Sequence, residues 1–357
     1  MDKKILVINP GSTSTKIAVF HNRKQIFLIN IKHEQEELSR FKRIADQFEF
    51  RKQTIIDELE KSNIDILSMN IVVGRGGLLK PIEGGIYRVN QAMIRDINNP
   101  MGEHESNLGG LIAYELARYI GKRVEAIIVD PTCVDEMEDI ARISGMPELP
   151  RKSFLHTLNQ RAVARTFARE KNKNYEDINV IVAHMGGGVS VGAHLKGRIV
   201  DVNNGLNGDG PMSPERSGGV PVGQLVELCF SGKYSKEEIL KKIKGKGGFI
   251  AYLGTSNAVE IEKRIESGDK QAELIYMAMA YQVAKEIASL SAVLKGEIDG
   301  ILLTGGIAYG KMITDEITDR VKHLGPVHIY PGENEMEALA MYGFMVLNKE
   351  IEPKEYC

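Results

Sequence analysis

Short apolar runs alternate with longer stretches of helical spacing along this 357-residue chain. Runs of Ile, Val and Leu predict buried strands, and apolar residues recurring every three or four positions predict amphipathic helices. The predicted strands cover 4–8, 17–20, 26–29, 65–73, 124–129, 181–183, 189–195, 198–202, 298–303 and 327–329. The predicted helices cover 41–61, 106–120, 157–170, 224–230, 257–266, 270–294, 311–323 and 335–347. This alternation indicates an α/β fold with helices packed on sheet faces.

One supersecondary unit occurs twice in this pattern. Residues 4–29 run strand, polar turn, strand, turn, strand, and residues 180–202 repeat that order about 175 positions later. Solenoid repeats have periods of about 20–50 residues, so the much longer interval here is not that of a solenoid. We expect two duplicated domains that face each other across a cleft.

Composition adds one unusual feature, an excess of glycine. The chain has 36 glycines but only 12 prolines, which excludes a collagen-like or disordered chain and predicts many tight turns.

Lysine and arginine together number 46 against 48 acidic residues, so the basic footprint of a nucleic-acid-binding protein is absent. Three cysteines without CxxC spacing predict neither a metal motif nor a disulfide framework. No apolar run reaches 18 residues, and we expect a cytoplasmic protein without membrane partners.

Three predicted turns that leave strands are rich in Gly, Ser or Thr, at 9–16, 184–190 and 304–308. Glycine lets backbone N–H groups approach a polyanion closely, and hydroxyl side chains add donors. The absence of GxxxxGK[ST], and of GxGxxG after a strand, disfavours a P-loop and a Rossmann site. Each turn alone is equally compatible with a tight hairpin. Together, with two of them in the repeated unit, they favour binding of nucleotide phosphates.

Two arginines lie among small residues. Arg216 belongs to the long glycine-rich loop 203–219, and Arg75 follows a predicted strand inside Gly74–Gly77. An ordered loop of this length is usually functional, and arginine binds phosphate through two parallel hydrogen bonds. The alternative for Arg216 is a salt bridge to Glu215 or another carboxylate.

Two histidines and one aspartate stand at element boundaries. His104 and His156 precede predicted helices, and Asp130 follows the strand at 124–129. A capping or core hydrogen bond is the simpler interpretation for each histidine, and Asp130-Pro131 is compatible with a plain strand-end turn.

Five segments in order resemble the acetate and butyrate kinases, acyl kinases of the actin-like ATPase superfamily. They are ILVINPGSTSTK, AHMGGGVSVGAH, DGPMSPERSGG, ILLTGGIAYG and YPGENEMEALA. The resemblance covers essentially the whole chain. It is greatest to the butyrate and branched-chain fatty acid kinases, because acetate kinases carry asparagine where this chain has Gly187.

The resemblance implies two actin-like ATPase (ribonuclease H-like) domains. Residues 1–150 with 340–357 would form the acyl-substrate domain, and 151–339 the nucleotide domain. The implied reaction is reversible, direct in-line transfer of the ATP γ-phosphoryl group to a short-chain fatty acid: butanoate + ATP = butanoyl phosphate + ADP. The implied cofactors are ATP/ADP and Mg²⁺, and the implied assembly is a homo-oligomer. The stretch 277–294 is a candidate interface, or simply a core helix.

The resemblance also assigns roles to residues. Arg75 and Arg216 would bind the acyl carboxylate and the phosphoryl oxygens, His156 would contact the phosphoryl group, and His104 would shape the site. Asp130 would act on Mg²⁺ through water or orient an arginine. Asn9 and Glu335 would lie beside the metal. The implied nucleotide-binding residues are Asn9, Ser12, Lys16, His184, Gly186, Gly187, Gly188, Gly305, Gly306 and Ile307.

Other functions stay open at this point. A kinase for isobutyrate, propionate or acetate would share every feature above, because one methylene changes selectivity by only about 1–3 kcal/mol. A sugar kinase of the same superfamily would need a carboxylate base, for which Asp130 is the candidate. A non-metabolic actin-like ATPase would polymerise or carry a peptide-binding extension. A binding protein with glycine-rich hairpins would lack nucleotide-dependent stabilisation.

Overall fold

The computed structural model describes residues 2–99 and 104–357. Its contacts divide the chain into two units, here called unit 1 and unit 2. Unit 1 contains Met1–Val134 and Asn334–Cys357, and unit 2 contains Asp135–Glu333.

The chain alternates strands and helices. The strands are β1 (Lys4–Pro10), β2 (Ser14–His21), β3 (Lys24–Lys32), β4 (Ile71–Arg75), β5 (Ile86–Arg88), β6 (Glu125–Val129), β7 (Asn179–Met185), β8 (Val189–Leu195), β9 (Arg198–Val202), β10 (Gly300–Gly305), β11 (Val327–Pro331) and β12 (Lys354–Glu355). The helices are α1 (Gln35–Leu38), α2 (Phe48–Lys61), α3 (Gln91–Asn98), α4 (Asn107–Ile120), α5 (Asp139–Arg142), α6 (Thr157–Glu170), α7 (Val222–Phe230), α8 (Lys236–Ile243), α9 (Gly248–Leu253), α10 (Ala258–Glu266), α11 (Lys270–Val293), α12 (Lys311–Val321) and α13 (Glu335–Leu347).

Unit 1 is built on a seven-stranded sheet of order β12-β5-β6-β4-β1-β2-β3. β1, β2 and β3 pair antiparallel, and β4 and β6 continue from β1 in parallel. Both β1 and β4 are buried almost throughout, as expected for central strands covered on both faces. Helix α13 returns to this sheet, where Gly343 lies so near Val73 and Ile5 that a Cβ would meet them at 2.8 and 3.0 Å.

Unit 2 repeats the same arrangement in a five-stranded sheet of order β11-β10-β7-β8-β9. β7, β8 and β9 pair antiparallel, and β10 and β11 continue in parallel from β7. The helix α11 buries one face on this sheet, with Tyr276, Met279, Val283 and Ile287 fully enclosed. The predicted α/β fold with a duplicated strand unit is therefore confirmed.

The register of the two sheets gives a residue-by-residue correspondence. β1 and β7 both have seven residues, and Asn9 and His184 both occupy the sixth. Asn9 pairs with Lys16 across the first turn, and His184 pairs with Ser190 across the second. The two turns thus present their side chains from equivalent places.

Two predicted elements begin later than the apolar pattern suggests. The strand predicted at 65–73 starts at Ile71, because the Asp65 side chain accepts a hydrogen bond from Leu67 N at 2.9 Å and opens a 3₁₀ turn at Ile66–Ser68. The helix predicted at 41–61 starts at Phe48, after a 3₁₀ turn at Ile44–Gln47. In the part of the chain that the structure describes, no helix is long and apolar enough to cross a membrane.

Candidate active site

Three of the predicted site residues meet at the carboxyl ends of β1 and β4 in unit 1. Asn9 Nδ2 donates to Glu335 Oε2 at 2.6 Å, and Arg75 Nη1 donates to the same oxygen at 3.0 Å. Arg75 Nη1 also lies 3.2 Å from Asn9 Oδ1. The Glu335 carboxylate is buried at the first position of α13, where the helix dipole favours a negative charge. Strand ends and a helix start therefore fix one acid, one amide and one arginine in a single cluster.

Glycines bring the Arg75 segment close to helix α4. A Cβ on Gly74 would overlap the backbone of Gly109, and a Cβ on Gly109 would meet Arg75 N at 3.0 Å. Because no side chain separates strand from helix, the backbone of Arg75 is held in place by direct packing. The guanidinium is then positioned by its two polar partners.

Asp130 and His104 have structural partners of their own. Asp130 is buried, has φ of 38°, and its Oδ1 accepts from Gly85 N at 2.7 Å. The Tyr342 hydroxyl lies 3.5 Å from the other carboxylate oxygen. His104 Nδ1 is 2.7 Å from Ser106 Oγ and accepts from Ser106 N at 3.1 Å, so it organises the approach to α4.

Unit 2 brings the other two predicted histidines into direct contact. The rings of His156 and His184 stack with centroids 3.9 Å apart and planes inclined by 16°. His156 stands immediately before α6, and His184 Nδ1 bonds to Asn159 Oδ1 at 2.7 Å from the first turn of that helix. His184 Nε2 is 3.2 Å from Glu333 Oε1, within ion-pair range but without hydrogen-bond alignment.

Arg216 lies against the glycine turn between β7 and β8. A Cβ at Gly188 would overlap the guanidinium nitrogen, whereas a Cβ at Gly187 would meet only Glu215 at 3.5 Å. Arg216 Nη1 donates to the carbonyl of Gly205, and burial lowers the pKa of its guanidinium although Glu215 opposes that shift. The arginine therefore rests on the backbone of the turn.

The loop carrying Arg216 is tied to the same turn by a serine. Ser213 Oγ donates to Gly187 O at 2.7 Å and accepts from Arg216 N at 3.1 Å. The long loop predicted at 203–219 is thus ordered by one hydrogen bond within it and one to the glycine turn.

The third glycine turn follows β10. Gly305 has φ of 91°, and a Cβ there would overlap the carbonyl of Met185 at the end of β7. Space is open beside Gly306, with no atom within 4 Å of a Cβ at that position. The Ile307 side chain is buried in the core of unit 2.

The cluster around Glu335 offers oxygen donors for a magnesium ion. Within residues 2–99 and 104–357, no group of three or more His, Cys, Asp or Glu side chains could hold a metal. The carboxylate of Glu335 and the amide oxygen of Asn9 are hard oxygen donors, which suit Mg²⁺. Because Mg²⁺ commonly keeps several waters and takes one or two carboxylates plus substrate phosphates, this cluster fits the ion in chemical type.

Known proteins resemble this chain in sequence and in structure. Residues 148–348 match the model of the acetokinase family. The chain is 58% identical over 357 residues to butyrate kinase 2 of Clostridium acetobutylicum, covering 100% of both proteins. The chain belongs to the acetokinase family. Among solved structures, acetate kinase of Porphyromonas gingivalis has a TM-score of 0.80 at 18% identity, with 97% of this chain and 100% of that chain covered. A propionate kinase of Francisella tularensis has a TM-score of 0.77 at 18% identity, with 95% and 98% covered.

The sequence patterns did not identify the arginine that holds the first glycine turn. Arg51 is fully buried in α2 and donates to Gly11 O at 2.8 Å, Ser14 O at 3.0 Å and Ser12 O at 3.2 Å. Burial lowers the pKa of its guanidinium. Arg51 lies on the buried face of α2 at helical spacing from Ile55 and Leu59, and that spacing is the signal that could have identified it. The turn that carries Ser12 is therefore held from beneath by one cation.

Lys16 and Ser12 lie at the surface, and their roles in nucleotide binding stay predictions. A second group that sequence reasoning missed comprises Ser190, Gln160 and His194, which are fully buried beside His156. Residue types alone gave no signal for that group, because its members come from one helix and one strand.

Proposed function

We propose that this protein is a short-chain fatty acid kinase that transfers the γ-phosphoryl group of ATP reversibly to butyrate, giving butanoyl phosphate and ADP. The observation that carries the proposal is the 58% identity to a butyrate kinase across the whole of both chains. The clusters around Arg75 and Arg216 support it, because each places a cation next to a phosphate-type turn or a carboxylate.

The acceptor explains why the site is rich in positive charge and hydrogen-bond donors. A fatty acid has a pKa near that of a side-chain carboxyl and is ionised at pH 7, so no general base is required. The obstacle is repulsion between this carboxylate and the triphosphate. Two unit charges about 4 Å apart repel by about 4 kcal/mol at an effective dielectric of 20. Arginines positioned beforehand remove that cost and stabilise the transferring group.

We assign the nucleotide to residues of unit 2. The backbone of Gly186–Gly188 holds the β- and γ-phosphates beside His184, and Gly305 and Gly306 line the adenosine site. Arg216 and His156 contact the oxygens of the transferring phosphoryl group. Support comes from the placement of Arg216 on Gly188 and from the stacking of His156 on His184.

We assign the acid and the metal to residues of unit 1. Arg75 binds the acyl carboxylate, Asn9 and Ser12 contact the phosphoryl group, and Glu335 holds Mg²⁺ with Asn9 nearby. When bound, Mg²⁺ would supply positive charge to the phosphate oxygens. The hydrogen bonds of Asp130 to Gly85 N and of its second oxygen to Tyr342 favour a structural role over that of a sugar-kinase base.

The activity test is trapping of the acyl phosphate with hydroxylamine across C2–C6 acids, with hexoses as alternative acceptors. We expect ATP-dependent hydroxamate with butyrate and its neighbours in length. Absence of product with every acid, or phosphorylation of a hexose instead, would overturn the assignment. Transfer from ATP with a chiral γ-phosphate should proceed with inversion, and retention would require a phosphoenzyme.

We also propose that the protein forms a homo-oligomer through α7. Val222, Val226 and Phe230 recur every fourth residue on this helix and are exposed, Phe230 by 87%. By contrast the earlier candidate, 277–294, packs one face into the core of unit 2. Contiguous exposed apolar side chains commonly mark interfaces, and the Phe230→Glu variant should therefore sediment as a smaller species than the wild type. An unchanged sedimentation coefficient would exclude α7 as the interface.

A further inference from the structure

A chain of buried side chains in unit 2 ends on the ring of His156. Tyr175 Oη lies 2.7 Å from His194 Nδ1, and His194 Nε2 lies 3.0 Å from Gln160 Oε1. Gln160 Nε2 is 2.9 Å from Ser190 Oγ, which is 2.9 Å from His156 Nδ1. Gln160, Ser190 and His194 are fully buried, so water cannot exchange these partners.

One backbone group fixes the donor-to-acceptor direction of this whole series of hydrogen bonds. Gln160 Nε2 lies 3.0 Å from the main-chain carbonyl of Ser190, which can only accept a hydrogen bond. The amide nitrogen of Gln160 therefore faces Ser190, and its oxygen faces His194. Gly192 makes room for this orientation, because a Cβ there would lie 2.6 Å from Gln160 Oε1.

The proton positions follow from that anchor in both directions. Since Gln160 Oε1 only accepts, His194 Nε2 carries a proton. Burial and the nearby Arg161 lower the pKa of His194 to about 3, so the ring is neutral and its Nδ1 accepts from the Tyr175 hydroxyl. Every donor up to Gln160 thus points towards Ser190.

Ser190 fixes the direction of the last hydrogen bond in the series, the one to His156 Nδ1. Ser190 Oγ accepts from Gln160 Nε2 and, at 3.4 Å, from His156 N, which occupies both of its lone pairs. Its own proton is then the one that lies between Ser190 Oγ and His156 Nδ1. If His156 Nδ1 carried a proton instead, Ser190 Oγ would face three donors, and its own proton would have no acceptor among these hydrogen bonds.

We infer that Ser190, Gln160 and His194 are positioning residues that hold His156 as the neutral tautomer with its proton on Nε2. Resting on the proposed function, this makes His156 a preset hydrogen-bond donor to the phosphoryl oxygens rather than a proton acceptor.

The direct test is the tautomer of His156 in the protein without substrate. A long-range ¹H–¹⁵N spectrum of histidine-labelled protein separates protonated from unprotonated ring nitrogens, and His156→Gln identifies the signals among eight histidines. We expect Nε2 protonated and Nδ1 unprotonated in the wild type at pH 7.5. Ser190→Ala should give a mixture of tautomers, whereas Ser289→Ala, at an exposed position of α11, should leave the spectrum unchanged. A proton on Nδ1 in the wild type, or an unaltered His156 pattern in Ser190→Ala, overturns the inference.

Kinetics give a second readout that separates positioning from folding. Ser190→Ala should lower kcat about tenfold, equivalent to about 1.4 kcal/mol, with KM values for ATP and the acid within twofold of the wild type. A loss seen only in KM would contradict the inference. If no acid is phosphorylated but the Nε2–H tautomer is present, the proposed function fails and the hydrogen-bond chain stands.

Discussion

A methyl group added at Gly188 should displace Arg216, whereas one added at Gly187 should not. A Cβ at Gly188 would lie 2.5 Å from Arg216 Cζ, and carbon atoms pack at about 3.5 Å. The guanidinium must therefore retreat by about 1 Å. Misplacement of a catalytic group by that distance costs about 100-fold in rate. The corresponding contact at Gly187 is already 3.5 Å, and neither glycine has a positive φ.

Gly188→Ala should thus lower kcat about 100-fold in the hydroxamate assay, and Gly187→Ala should change it by less than about threefold. Stability gives an independent measure, since overpacking of this kind costs about 1–3 kcal/mol. In the Arg216→Ala background the cost of Gly188→Ala should nearly vanish, because the clash has no second partner. Equal losses for the two glycine variants, or additive effects of Gly188→Ala and Arg216→Ala in urea unfolding, would show that a Cβ at Gly188 does not displace Arg216.

Three further predictions concern unit 1. Arg51→Met leaves three carbonyls of the first turn without their donor, so the free energy of unfolding measured in urea should fall by about 3 kcal/mol; a change below 1 kcal/mol would mean that the turn stands without it. Burial and Arg51 lower the pKa of His33 to about 4, so the folded state binds fewer protons than the unfolded state between about pH 6.5 and 4. Stability should therefore fall as pH drops through that window, and His33→Gln should flatten the fall in Tm; an equal slope in the variant would assign it to other groups. Glu335→Gln should raise the Mg²⁺ concentration needed for half-maximal activity about tenfold or more, and an unchanged Mg²⁺ dependence would remove Glu335 from the metal site.

The fold could be predicted from the sequence because its signal is local. The order of strand, turn and strand around Asn9 recurs around His184, and the two sheets place these residues at the same register position. The five motif segments predicted the family, which 58% identity to a butyrate kinase over the full length of both chains confirms. The excess of glycine predicted tight turns. In the structure the first glycine turn lies against Arg51 and the second against Arg216.

The supporting contacts could not be predicted because they join distant segments. Arg51 reaches a turn about 40 residues earlier in the chain, and Gln160 reaches Ser190 and His194 across 30 and 34 positions. The sequence also makes Gly187 and Gly188 look alike. In the structure the Arg216 side chain leaves no room for a Cβ at Gly188, whereas a Cβ at Gly187 would make only ordinary contacts. The roles of the site residues in binding and transfer stay predictions.

Phosphoryl transfer to butyrate is tested most directly by ³¹P NMR of ATP, Mg²⁺ and butyrate incubated with the protein. We expect an acyl phosphate resonance and an equal amount of ADP to appear together, and only when butyrate is present. In the reverse direction, butanoyl phosphate and ADP supplied to the protein should yield ATP. ATP consumption that yields only inorganic phosphate, or that is independent of every short-chain acid, would show that the protein is not a fatty acid kinase.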